Sequence, residues 1–595
     1  MHARARKELM SLLAIIMIAV SVLAGCSSNK EENGGATGTA SPTATAPQGG
    51  AETDSNKPVW DFKYDPPVTI TTAVIDEDRP NAFKPGETLE DNIHTRWMEE
   101  NLGMITKFNW TVGKPEDYQT KLQLALATNE KLPDAFYADG DVLQNLITAD
   151  KLMPLNDAIE KYASPTLKAV FEASPYVLGE VTRDGNVYGI PRFFMGDEGS
   201  VMWIRKDWLD KLSLQPPTTI DELEAVLKAF SERDPNENNK DDEFGLAVPL
   251  KEGPWTWMGQ TDAIFGAYTK HMINTYDITS YWNEDENGDL VYGAVHPDAK
   301  MYLETMRSWM DQGYIDGEAG VKDPSKAAEI AVAGRAGVMF GPYWMGAWPL
   351  GDTTQIDPNA DWQAYPLPAG PDGEVRLAQK TLYGGALVFR KDFEHIDVWF
   401  SYYNKILAKA AGPEDPYYDP RFKDGFHEGY DYVEYEGKIY TGNYEEAGVP
   451  KERWPLADGT NLDMRWLVSP LFGTHTPQVP YMNTEAIKKF VANPDAEAAT
   501  PIEISVKSLN SAQLQGAGVN VAQRDKEIPN LFTGPRTPTM KKNGEFLQKL
   551  ATESYLKIIY GEEPLEYFDE FVKQWYKNGG EQITKEVNEW YQSGK

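Results

Sequence analysis

Val68-Thr69-Ile70-Thr71-Thr72-Ala73-Val74 is a run of β-branched residues that reads as a strand, and the segments after it decide the fold. Asp91 to Leu102 has amphipathic helical spacing and stops at Gly103. Ile105 to Val112 reads as a second strand, and Glu116 to Ala127 as a second helix with Leu122, Ala125 and Leu126 at helical spacing. Leu132-Pro133-Asp134-Ala135-Phe136-Tyr137 is then a turn into a buried strand. Strand and helix in alternation predict an α/β architecture with mainly parallel, doubly wound sheets.

Upstream, Arg4, Arg6 and Lys7 precede an apolar run from Met10 to Leu23, too short and wrongly flanked for a membrane span and of the form of a secretory signal. Leu23-Ala24-Gly25-Cys26 resembles the lipobox of bacterial lipoproteins, which implies acylation of Cys26 and removal of residues 1–25. Cys26 is the only cysteine, so neither a disulfide nor thiol catalysis is expected. Ser27 to about Lys57 carries no large apolar residue and reads as a flexible tether. Formal net charge is −34; residues 1–25 carry +2 (Arg4, Arg6 and Lys7 against Glu8), leaving −36 from Cys26 onward. That acidity argues against nucleic acid as a partner. The remaining length exceeds a single core, so two or more lobes are expected.

Downstream, Asp184-Gly185-Asn186-Val187-Tyr188-Gly189-Ile190-Pro191-Arg192 reads as a turn and short strand ending at a proline. Val201 to Leu212 comes next, then a helix from Ile220 to about Glu232 in which Thr219 and Glu222 have capping-box spacing. That helix runs into Asp234-Pro235-Asn236-Glu237-Asn238-Asn239-Lys240-Asp241-Asp242-Glu243. Side-chain oxygens at alternate positions of a tight loop are what a hard cation such as calcium requires. The loop departs from an EF-hand in having Asn239 where Gly is usual, a residue that tolerates left-handed backbone angles, and Gly245 in place of the bidentate Glu.

Taken in order, the lipobox, the Leu132-Pro133-Asp134 turn, Tyr188-Gly189-Ile190-Pro191, Arg205-Lys206-Asp207-Trp208-Leu209, the Asp234 loop, Ala336-Gly337-Val338-Met339-Phe340-Gly341-Pro342-Tyr343-Trp344, Tyr365-Pro366-Leu367-Pro368 and Phe571-Val572-Lys573-Gln574-Trp575 form a specific series. The chain resembles the extracellular solute-binding lipoproteins of bacterial ABC importers, in the large carbohydrate-binding group. The resemblance implies a two-lobed periplasmic-binding-protein-like α/β fold, with a ligand cleft between lobes crossed by hinge segments near Arg192, Gly341 to Trp344 and Tyr383 to Ala386. One lobe would take 58–192 and 342–384, the other 193–341 and 385–595 with an insertion at 413–465. It also implies a structural calcium ion held by side chains of Asp234, Asn236, Asn238, Asp242 and Glu243 and by the Lys240 carbonyl. The expected partners are a carbohydrate, the importer's permease subunits, and the cell membrane through a lipid anchor on its extracellular face. No catalysis is expected.

Sugar rings present apolar C–H faces that stack on indole and phenol, and the chain holds 17 Trp and 30 Tyr. Trp255 and Trp257 in one loop, and Tyr343, Trp344 and Trp348 after a strand end, are the candidate aromatics, together with Trp203. Arg192, after the first crossing, fits either a ligand anchor or a salt bridge. Pro413 to Arg465, dense in Tyr, Asp and Gly, either deepens the cleft or covers a lobe. The C-terminal stripes Phe568, Phe571, Val572, Trp575 and Ile583, Val587, Trp590 read as core. The competing classes are a surface glycan-binding protein without a transporter and a glycan-cleaving lipoprotein, which needs two carboxylates across a sugar site. No nucleophile elbow, His-Glu-x-x-His or phosphate-binding Gly-Lys loop is present.

Overall fold

The computed structural model describes residues 63–593 apart from 77–81, 196–198, 241, 254–255, 276, 381 and 473–475. Cys26, the tether and Trp255 lie outside the described residues. Val68–Ile75 pairs in parallel with Met104–Val112. The helix between them, Ile93–Leu102, begins where the Asn92 side chain accepts from the N–H groups of His94 and Thr95, and ends where Gly103 turns left-handed at φ 63°. A Cβ at Gly103 would lie 2.0 Å from the Tyr64 carbonyl oxygen, so this helix end takes glycine for close approach as well as for conformation. On Ile220–Glu232 only half of the expected capping box forms. Thr219 accepts from the Glu222 N–H at 3.2 Å, but the Glu222 carboxylate turns to the N–H and hydroxyl of Thr218, at 2.8 and 2.7 Å.

Mainly parallel sheets were expected, and the sheets are mixed. In the first lobe Ala135–Ala138 and Ile190–Phe193 both run antiparallel to the central strand Tyr383–Phe389. In the second, Val201–Arg205 lies antiparallel to both Trp362–Tyr365 and Ala336–Gly341, and only Phe244–Leu246 joins in parallel. The first-lobe arrangement stems from the crossovers: Ile190–Phe193 leads out of its lobe and Tyr383–Phe389 leads back in, so the two are antiparallel.

Two large cores define the lobes. One packs Ile70, Leu167, Ile190 and Phe389 with Trp399, Phe472, Ile487 and Val506. The other packs Ile204, Trp208, Phe230 and Phe340 with Leu547, Phe571, Trp575 and Val587. The chain therefore divides differently from the expected 342–384 and 385–595 boundaries. Trp362–Tyr365 is hydrogen-bonded to Val201–Arg205, which keeps the stretch after 341 in the second lobe. Helix Ile396–Ala411 buries Trp399, Phe400, Tyr402 and Tyr403 in the first core, which returns most of 383–522 to the first lobe. The chain changes lobe between strands Ile190–Phe193 and Val201–Arg205, again between Leu377–Ala378 and Tyr383–Phe389, and a third time between helices Ser511–Ala522 and Pro538–Ile559, whereas Gly341 to Trp344 is not a crossing. Within 413–465, Phe422, Tyr430 and Leu462 are part of the first core, and Val433, Tyr444 and Val449 form a small cluster of their own. Helix Ser511–Ala522 touches both lobes: Ala517 lies in the first core, and a Cβ at Gly516 would lie 3.0 Å from the Trp203 ring and 3.1 Å from the Tyr343 Cα. Among the described residues no helix is long and apolar enough to cross a membrane.

Candidate functional site

Between the lobes lies a cavity of about 860 Å³. Tyr176, Phe194 and Tyr481 come from the first lobe, Trp257, Tyr281 and Trp344 from the second, and Lys380, Arg524 and Glu527 from the crossing segments. A volume of this size with an aromatic wall and a few polar groups suits a small organic ligand of several rings. Its ionic side chains are balanced, Lys380, Arg524 and Arg536 against Asp277, Glu485 and Glu527.

The aromatic wall is built where the buried strand Ala336–Gly341 ends. The chain turns at Pro342 into a short 3-10 segment, Tyr343–Gly346, which presents Trp344. The Trp257 ring lies 5.8 Å from that of Trp344 at 26°, and 6.4 Å from that of Trp348 at 5°. Trp344 and Trp348 are 6.2 Å apart at 22°. Three near-parallel indoles with centroids in a triangle pack on one another as offset stacks. Trp257 and Trp348 are 46% and 50% exposed, which is costly for indole unless something covers them.

The other expected ligand contacts are placed elsewhere. Trp203 is fully buried, donates its indole N–H to the Pro342 carbonyl at 3.2 Å, and lies behind the wall as core. Tyr343 packs toward the first lobe and helix 511–522. Arg192 stacks over Tyr137 at 4.9 Å and Phe194 at 5.7 Å, behind the cavity lining. Sequence reasoning missed Tyr176, Tyr281, Tyr481, Arg524 and Arg536. Tyr281 carries the one local anomaly, φ 61° at a bulky, buried residue, a conformation that the fold must hold in place. Asp277 is oriented by the N–H and hydroxyl of Thr279, at 3.0 and 2.8 Å, and stands 3.6 Å from Arg536. Burial raises the Glu527 carboxyl above its ordinary range, opposed by Arg524 and a hydrogen bond with Gln379.

Asp277 and Arg536 also border a smaller chamber of about 270 Å³, lined by Asp141, Glu180, Arg183 and Tyr383. Burial pushes the Glu180 carboxyl up to about 7 against the pull of Arg183.

The Asp234 loop is folded around its own oxygens. Asp234 accepts from the N–H groups of Asn238 and Asn239 at 3.0 Å each, Asn236 from Asn238 at 2.9 Å, and Asn238 from Lys240 at 2.7 Å. Asn239 adopts φ 60°, the left-handed angle that its type tolerates. Glu243 is 5% exposed and its Oε1 has no hydrogen-bond partner. Burial, then the charges of Asp242 and Asp234, raise its carboxyl above the ordinary range. An acidic, oxygen-only loop with an unpartnered buried carboxylate oxygen fits a calcium ion. The loop is tied by Asn236 to the Gly334 carbonyl at 3.0 Å, and by Arg335, which donates to the Asp242 carbonyl at 3.0 Å. These anchors sit at the start of Ala336–Gly341, and the tryptophan wall sits at its end, a separation of roughly 20 Å for six extended residues.

The family model for bacterial extracellular solute-binding proteins matches residues 82–426. Among curated relatives, the polygalacturonan/rhamnogalacturonan-binding protein YtcQ of Bacillus subtilis is 26% identical over 425 residues, 70% of this chain and 72% of its own. Among solved structures, an HMO binding, ABC-transporter-associated solute-binding protein from Bifidobacterium longum infantis superposes with a TM-score of 0.62 at 16% identity, over 88% of this chain and 98% of its own. An EF-hand mutant of the Streptococcus pneumoniae substrate-binding protein FusA, in complex with fructo-nystose, superposes with a TM-score of 0.52 at 17% identity, over 89% and 100%. With its two lobes, the cavity between them and a family match spanning more than half its length, the chain belongs to the bacterial extracellular solute-binding protein family.

Proposed function

We propose that this protein captures an oligosaccharide in the interlobe cavity and delivers it, unaltered, to an ABC importer. The observation that carries this reading is the group of near-parallel indoles Trp257, Trp344 and Trp348, of which Trp257 and Trp344 line the cavity. Flat apolar surface of this kind stacks on sugar C–H faces, while the polar groups of the opposite wall take hydroxyls. The carbohydrate names of the relatives YtcQ and FusA point to the same ligand class. In this reading Cys26 carries the lipid that holds the chain on the outer face of the cell membrane, and residues 26–57 are its tether. Calcium held by Asp234, Asn236, Asn238, Asp242, Glu243 and the Lys240 carbonyl stiffens the second lobe at the foot of the wall-bearing strand. This reading assigns the protein no catalytic role, and it is supported by polar partners on all three acidic side chains of the main cavity: Thr279 and Arg536 for Asp277, Lys488 for Glu485, and Gln379 for Glu527.

A thermal-shift screen against neutral and acidic mono- and oligosaccharides tests this reading. A rise in melting temperature with an oligosaccharide, and recovery of that sugar intact, is the expected result. Stabilisation with shortened products would replace transport by glycan cleavage. Loss of sugar uptake on deletion separates the importer component from a surface glycan-binding protein.

A further inference from the structure

Far apart in sequence, His271 and His296 meet in the second lobe. Their rings stack with centroids 3.8 Å apart at 21°. Asp298 joins them, its Oδ2 lying 3.3 Å from His296 Nδ1. One ligand-capable atom from each of the three residues lies within 4.8 Å of the others. We propose that His271, His296 and Asp298 form a binding site for a first-row divalent transition ion, with zinc the best fit, distinct from the all-oxygen Asp234 loop.

Two features support this. His271 is 5% exposed, yet its Nδ1 has no hydrogen-bond partner, and a buried ring nitrogen left without one is costly unless it is used. The carboxylate is already oriented, because the Thr269 hydroxyl donates to Asp298 Oδ2 at 2.7 Å, and an outer-shell bond of this kind fixes a ligating carboxylate. The donor set of two imidazoles and one carboxylate is that of zinc and its neighbours; calcium prefers oxygen alone.

Ligand bonds of about 2.0–2.2 Å require the three atoms to draw in by roughly 1.5 Å, which rotation of the half-buried His296 and Asp298 supplies. The other histidine pair differs: His94 has both ring nitrogens engaged, by His427 at 2.9 Å and by the Tyr402 hydroxyl at 2.8 Å, and offers no lone pair. The segment after His271 supplies Asn274, Asp277, Ser280 and Tyr281 to the cavity wall. An ion here would pin that segment to the start of helix Ala299–Asp311.

Calorimetric titration of the full chain with zinc chloride, in saturating calcium, tests the site. The expected result is one zinc per chain with micromolar or tighter affinity, unchanged in Asp234→Ala/Asp242→Ala. Affinity should fall at least tenfold in His296→Gln and in Asp298→Asn, both at half-buried positions, and binding should be lost in His271→Ala/His296→Ala. Cobalt should give the visible bands of a low-coordinate nitrogen-ligated ion in the wild type and not in His296→Gln. Absence of stoichiometric zinc in the wild type, or equal zinc affinity in folded His296→Gln, would overturn the proposal.

Discussion

At the scale of single residues, three tryptophans near the cavity have distinct jobs. Trp257 and Trp344 line it; Trp344 also packs on a core cluster, whereas removing the 46%-exposed Trp257 takes away stacking surface without opening the core. Trp257→Ala should weaken oligosaccharide binding by about 1–2 kcal/mol, roughly five- to thirtyfold in Kd, with little change in melting temperature. Trp203→Ala should do the reverse, because its ring is fully buried behind the wall. Its truncation should destabilise the fold by about 3–5 kcal/mol, read from denaturant unfolding. Sequence patterning could not tell these indoles apart, since each sits in an apolar stretch and only burial distinguishes them. Glu180 supplies a pH test. Its carboxyl is raised to about 7, so the folded state holds a proton that the unfolded chain releases near the ordinary value for glutamate. Its contribution to stability is complete in acid and is lost as pH rises through 7. Glu180→Gln should therefore flatten the fall in melting temperature between pH 5 and 8, and an unchanged pH profile would contradict the assignment.

At the scale of elements, the loop 234–243 was the most legible piece, because its conformation is set by short-range bonds between its own side chains and backbone. Asn239 at φ 60° and the bonds accepted by Asp234, Asn236 and Asn238 stem from residue type and spacing alone. Asp234→Ala/Asp242→Ala should abolish the calcium dependence of melting; calcium that stabilised this variant as much as the wild type would remove the ion from the loop. Helix Ser511–Ala522 was illegible, because the reason for Gly516 lies in Trp203 and Tyr343, over a hundred residues away. Gly516→Leu should cost about 1–3 kcal/mol by forcing that helix off the second lobe. Conversely, the Glu222 carboxylate chose Thr218 over the expected capping partner, a shift of one residue that spacing does not resolve.

For the whole molecule, the alternation of strands and helices made the fold class legible, whereas the division into lobes was not. Crossings are places where the chain leaves one core for another, and they carry no composition of their own. The segment Gln523 to Glu527 looks like any charged turn, and Gly341 to Trp344, where the resemblance implied a crossing, is the end of a buried strand whose sheet partners stay in the second lobe. Arg524 and Glu527 line the cavity for that reason, and were missed for the same one. Lobes joined by three segments, with ligand groups on both sides and on the joints, suit hinge closure around a solute. The Lys541–Asp141 ion pair at 3.4 Å, between a second-lobe helix and a first-lobe helix, already spans the gap.

The most direct test of capture between the lobes is calorimetric titration of an oligosaccharide into the wild-type chain and into Trp257→Ala/Trp344→Ala, with the sugar recovered afterwards. Saturable one-to-one binding, weakened at least tenfold in the variant, with the sugar intact, is the predicted result. Equal affinity in the two proteins, or recovery of a shortened sugar, would contradict it.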